Sequence, residues 1–172
     1  MTREQMIEEI EAAFKGVTRE GGVSWSETRV IDDYGSEPER AAARAQDKDK
    51  TWMEVGLDPN WRIDMGVGGF VFLDQIGFSY YLAAGMVAVI RGASSWPVEF
   101  QLSPDPTATP ENPNKRCAAL SEPQRVCVKH FIKHMIQATN NTNYETDWKK
   151  LYASYWKQVP ELSRKQRRKR DR

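Results

Sequence analysis

The sequence predicts a mainly α, single-domain fold built around one buried central helix, and three observations carry that prediction. Ser/Thr-x-x-Glu/Gln capping boxes stand at Thr2/Gln5, Ser24/Glu27 and Ser121/Gln124, each pairing two donors at a helix start. Apolar residues recur behind them at helical spacing. Finally, Phe70 to Gly92 gathers apolar and aromatic residues in a chain whose mean hydropathy is −0.69. A small strand pair near Phe78 and Val98 is the one non-helical element expected.

The first helix follows from Thr2 and Gln5, with Ile7, Ile10 and Phe14 on one face and Gly16 as the stop. After Gly21-Gly22, Ser24 and Glu27 open a short second helix that carries Val30 and Ile31 and ends in the turn Asp32-Asp33-Tyr34-Gly35. Ser36 caps a third, with Pro38 in its first turn and Ala41 to Ala45 supplying helical propensity. Its face is small and weakly apolar, so it packs peripherally. The run Asp47-Lys48-Asp49-Lys50 ends it, and Trp52 opens a connector with a turn at Asp58-Pro59-Asn60-Trp61.

Gly66, Gly68 and Gly69 punctuate the approach to the apolar segment, which Gly77 divides. The aromatic density of Phe78-Ser79-Tyr80-Tyr81 favours an extended stretch. From Leu82 to Ile90 the small residues Ala83, Ala84, Gly85 and Ala88 suit a close-packed helix, the most buried in the molecule. Five prolines between Gly92 and Cys117 mark a long loop near residues 93–116, interrupted by a short strand at Val98 to Leu102. Ser121, Pro123 and Gln124 then start a helix with Val128, Phe131, Ile132 and Met135 as its stripe. A last helix carries Tyr144, Trp148, Leu151, Tyr152 and Tyr155 and ends by Pro160. Residues 1–160 form the globular domain, and 161–172 form a basic tail too charged to fold alone.

Composition bounds the function. With 25 basic and 24 acidic residues the formal charge is +1, so whole-chain charge points to neither nucleic acid nor a membrane. Its distribution is uneven: residues 1–60 hold 8 basic and 14 acidic groups, a net of −6, and residues 164–172 hold 7 basic and 1 acidic, a net of +6. No unbroken apolar run approaches the ~18 residues of a membrane span. Cys117 and Cys127 are the only cysteines and the N-terminal residues are acidic, a pattern expected of a reduced, cytoplasmic protein.

Two constellations could carry chemistry. Cys127, His130 and His134 fall within about 60° of one another on a helical wheel, a face of zinc-ligand types that lacks the glutamate of HExxH hydrolases and a second ligand pair. The competing expectation places both histidines on a polar flank beside Lys129 and Lys133. Glu27, Asp32 and Asp33 supply carboxylates of the kind used in general acid–base work or magnesium binding, with Arg40, Arg44 and Asp47 nearby in sequence. As turn residues and ion pairs they need no chemistry. The glycines at 66, 68 and 69 lack the GxGxxG and GxxxxGK[ST] spacings and read as a tight turn. In the tail, Arg164, Lys165, Arg167, Arg168, Lys169 and Arg170 can bind anions by counterion release, nonspecifically, because no aromatic residue is present to stack a base. The alternative is a solvated, disordered end.

The succession Ile31-Asp32-Asp33-Tyr34-Gly35, Glu39-Arg40-Ala41-Ala42-Ala43-Arg44, Trp52, Phe72-Leu73-Asp74, Gly77-Phe78, Tyr80-Tyr81-Leu82-Ala83-Ala84 and Leu120-Ser121-Glu122-Pro123-Gln124-Arg125 resembles a family of uncharacterised bacterial proteins known only as a domain of unknown function. The similarity covers most of residues 5–137. The family commonly has Phe-Tyr-Leu-Pro-Ala where this chain has Tyr80 to Ala84. The resemblance implies one domain and no particular activity.

The expected function is that of a noncatalytic protein-interaction or immunity-type accessory protein with a protein partner and no cofactor. Asp32, Asp33, Arg40, Trp52, Asp74, Tyr80 and Tyr81 are its candidate ligand- or partner-binding residues. A small metal-dependent or hydrolytic enzyme, using Glu27/Asp32/Asp33 or Cys127/His130/His134, is the competing class.

Overall fold

The computed structural model describes residues 1–63, 68–92, 99–103, 117 and 119–163, without the side chains of 99 and 100. The expected tail anion site at 164–170, the glycine at 66, the strand position Val98 and the rest of the loop apart from 99–103 lie outside the described residues. The fold is mainly α, and no strand occurs among the described residues. In chain order the elements are α1 (Arg3–Ala13), α2 (Trp25–Asp32), α3 (Glu37–Arg44), α4 (Trp52–Leu57), a 3₁₀ turn (Gly69–Phe72), α5 (Gln75–Ile90), α6 (Glu99–Leu102), α7 (Glu122–Ala138), α8 (Glu145–Ser154) and a second 3₁₀ turn (Trp156–Gln158). They gather into two compact units, Gly16–Trp96 and Met1–Lys15 with Pro97–Arg172.

In the unit Gly16–Trp96 the centre is α5. Asp74 caps it, with Oδ1 accepting the Gly77 N–H at 2.8 Å, so the helix begins at Gln75 and runs straight through Phe78 to Tyr81. The expected extended stretch is therefore helical. Aromatic residues favour strands chiefly because they pack well on a pleated surface, and here Phe78, Tyr80 and Tyr81 are all buried on a helix instead. Gly77 is not a break but a residue of the first turn, where an added Cβ would collide with the Val23 carbonyl. The expected close packing of the small-residue helix does occur. An added Cβ on Gly56 of α4 would stand 2.9 Å from the Ala84 carbonyl oxygen of α5. Trp52, expected in a connector, is the first residue of α4, capped by Thr51 through the Glu54 N–H.

The other unit pairs α1 with α7 and α7 with α8. Met6 and Ile10 of α1, its C-cap Phe14, and Val128, Phe131 and Ile132 of α7 are fully buried. Trp148 of α8 meets Phe131 edge-on at 5.7 Å. Fully buried Trp156 donates its indole N–H to the Leu102 carbonyl at 3.0 Å. That contact belongs to the end of α6, so Glu99–Leu102 is helical where the sequence favoured a strand. The described part of the presumed tail is anchored: Leu162 is buried, and Glu161 accepts from Lys129 at 2.9 Å.

Candidate functional site

In the unit Gly16–Trp96 the charged residues are organised around a single buried carboxylate. Glu27 is the third residue of α2, placed there by the capping box, and one of its oxygens accepts the Ser24 N–H at 3.2 Å. Its side chain is 0 % exposed. The neighbouring helix α3 is short and buries only Ala43, yet Arg40 and Arg44 are four residues apart and so share one face. Arg40 donates through Nε and Nη2 at 3.1 and 2.8 Å, and Arg44 through the same pair at 2.9 and 2.6 Å. Burial pushes the Glu27 carboxyl upward, but the hydrogen bonds from Arg44, the Ser24 N–H and Arg40 outweigh it and hold the group below the usual range. The arrangement keeps Glu27 ionised and fastens α3 to α2.

Glu27, Asp32 and Asp33 belong to separate arrangements, because Glu27 lies in the first turn of α2 and the two aspartates at its end. Asp32 accepts the Gly68 N–H at 2.7 Å. Asp33 stands 3.9 Å from Arg29, with both side chains about two-thirds exposed, a geometry of little energetic consequence. Between these aspartates and Gly35 is the feature that sequence reading passed over. The Gly35 N–H bonds to the Val30 carbonyl and the Tyr34 N–H to that of Ile31, the paired bonds of a Schellman helix end. The left-handed position of that motif usually holds glycine. Here it is Tyr34, at φ +56° and 97 % exposed.

Candidate residues line two concavities of this unit. One, of about 420 Å³, is lined by Arg19, the Gly21-Gly22 turn, Glu27, Arg40, Arg44 and Asp74. Its opposite charges are largely paired, as Arg40 and Arg44 are on Glu27. The candidate Asp74 also accepts the Val23 N–H at 3.1 Å, so one carboxylate both caps α5 and holds the segment leading into α2.

The other cavity, of about 360 Å³, has Trp25, Trp61 and Tyr81 in its wall and Asp47, Asp49, Glu54 and Asp58 among its polar residues. Tyr81 accepts the Trp25 N–H at 2.9 Å, and the centroids of Trp25 and Trp61 are 5.0 Å apart. Tyr80 donates to Asp49 at 2.5 Å, and Arg19 donates to the same carboxylate at 2.9 Å. Burial first, and then the nearby Asp49, push the Tyr80 hydroxyl far up. For Tyr81 burial again leads, followed by Asp47 and Asp49. Both phenols stay protonated. The candidate residues thus divide: Arg40 and Asp74 line the first cavity, Tyr81 the second, Tyr80 supports the second through Asp49, and Trp52 is a buried core residue.

On α7 the expected ligand face is not a polar flank. Cys127 is fully buried and Lys129 is also inside, with its ammonium on the Val159 carbonyl at 2.6 Å. His130 has Glu9 at 2.8 Å on Nδ1 and Glu161 at 2.9 Å on Nε2. The Glu9 hydrogen bond is the main reason its imidazole is held above the usual range. Burial pushes His134 the other way. No group of three or more potential ligands placed to hold a metal ion occurs among the described residues.

No helix among the described residues is long and apolar enough to cross a membrane. No curated protein and no solved structure matches the chain. A family model does match, over residues 2–160. That match includes every residue lining the two cavities, and the chain accordingly belongs to the Family of unknown function (DUF6714).

Proposed function

We propose that this protein is a noncatalytic interaction protein, of accessory or immunity type, and that the turn Asp32-Asp33-Tyr34 is part of its partner-binding surface. The observation that carries the reading is Tyr34. A non-glycine residue in the left-handed region costs about 1 kcal/mol or more, and a side chain 97 % exposed recovers almost nothing by burial. Glycine would cap α2 better, so the tyrosine is explained by what it meets outside the chain. Tyrosine is among the residues that dominate binding energies at interfaces, and the flanking Asp32 and Asp33 add negative charge for steering.

The engagement of Glu27 supports the noncatalytic part. A carboxylate clasped by two guanidinium groups and held below its usual range is a poor proton acceptor near neutral pH. A bacterial, cytoplasmic setting belongs to the same reading, supported by the scarcity of cysteine and the family resemblance.

Crosslinking from position 34 tests the proposal. A photoreactive phenylalanine replacing Tyr34 in the native host should yield one discrete crosslinked partner. The same group at exposed Gln137 should not. Indistinguishable products from the two positions would overturn the assignment of this surface.

A further inference from the structure

The cavity walled by Trp25, Trp61 and Tyr81 has a charge imbalance that the fold does not use. Among the described residues Asp49 is neutralised by Arg19. The Asp47 carboxylate accepts the N–H and hydroxyl of Ser26 at 3.0 and 2.6 Å, and the Asp47 carbonyl accepts from Arg19 at 2.7 Å. Glu54 accepts the Lys50 N–H, and Asp58 the Asn60 N–H. No described cation lies within ion-pair distance of Asp47, Glu54 or Asp58, and Lys48, the one basic residue lining the cavity, donates instead to the Ala45 carbonyl. Among the described residues Glu54 and Asp58 therefore line the cavity without an ion-pair partner, beside the part-exposed ring of Trp61 with Trp25 and Tyr81 buried behind it. Trp61 is half-buried in that wall.

We propose that this cavity receives the guanidinium of an arginine side chain from a basic peptide segment of a partner. A guanidinium is planar, stacks on aromatic faces and presents a fork of donors to carboxylates. The cavity, at about 360 Å³, falls at the small end of the roughly 300–1,000 Å³ of ligand pockets, a size suited to one side chain. The proposal names the chemistry of the partner and rests on the interaction reading for its class. It does not rest on Tyr34.

The test is a titration of the full-length protein with a blocked glycyl-arginyl-glycine tripeptide, followed by the indole N–H signals in NMR. The controls are the citrulline peptide, which has the same shape and no charge, and the lysine peptide. Saturable shifts of the Trp25 and Trp61 signals are expected with arginine and not with citrulline. The variant Glu54→Gln/Asp58→Asn keeps both acceptor oxygens, and it should melt like the parent but bind about fivefold more weakly. Lys48→Gln should bind more tightly. Tyr34→Gly should bind the tripeptide unchanged, which separates this proposal from the surface assigned to Tyr34. Equal response to arginine and citrulline, an equal response to lysine, no saturation, or unchanged affinity in the double variant would each overturn it.

Discussion

The two compact units use the same device with different pH behaviour. In Gly16–Trp96 a buried carboxylate is clasped by two arginines, which stay charged across the whole accessible range. In the other unit a histidine is clasped by two glutamates. The first tie joins the consecutive helices α2 and α3, whereas the second joins α7 to α1, 121 residues away, and to the segment after Pro160. The difference lies in which partner titrates near neutrality. The first tie weakens only in acid; the second weakens as pH rises as well.

The apolar core sets the scale against which both ties are measured. Phe131→Ala removes a fully buried ring that packs against Trp148, and it should lower stability by about 3–5 kcal/mol in urea titrations. Glu27→Ala should follow at about 3 kcal/mol. Removing one partner of a buried pair costs about 3–5 kcal/mol, and the part-exposed guanidiniums can regain some hydration. A loss below 1 kcal/mol would mean that α3 is held by something other than this carboxylate.

His130→Gln sharpens the comparison, because its main signature is a slope rather than a size. His130 is raised above its ordinary 6.5, so its contribution is full below that value and is lost as pH rises through the folded one. Glu161 is lowered: burial pushes it up, but Lys129 and His130 outweigh that. Its contribution is present above the ordinary 4.5 and disappears as pH falls through the folded value. The pair is thus strongest between these two ordinary values. The substitution should cost about 1 kcal/mol there and flatten the decline above it, as read from urea midpoints across pH. An unchanged slope in the variant would assign the decline to another group.

Helix starts were legible because they are local. At Thr2, Ser24 and Ser121 the side chain three residues on accepts the cap N–H as the sequence predicts, and α3 is as peripheral as its small face implies. What escaped were properties set by partners far along the chain. Phe78 to Tyr81 follow strand statistics, yet the Asp74 cap and burial on every side make them helical. Lys129 is expected on a polar face but reaches the Val159 carbonyl, 30 residues away. Of the residues lining the two cavities, Arg40, Asp74 and Tyr81 stand out in the sequence by residue type. Trp61, Glu54 and Asp58 were missed, because a short helix inside a presumed connector brings them to the cavity. The signal for Tyr34 was present in the sequence: a helix-ending turn with glycine one position later than the left-handed site requires.

The smallest stability change carries the most functional meaning. Tyr34→Gly relieves the left-handed strain and should raise stability by about 0.5–1 kcal/mol, while the recovery of partner from the native host falls at least tenfold. Melting temperature and partner recovery, measured together on this one variant, test the central claim directly. A more stable protein that has lost its partner is the predicted result, and a more stable protein that keeps its partner in full would contradict it.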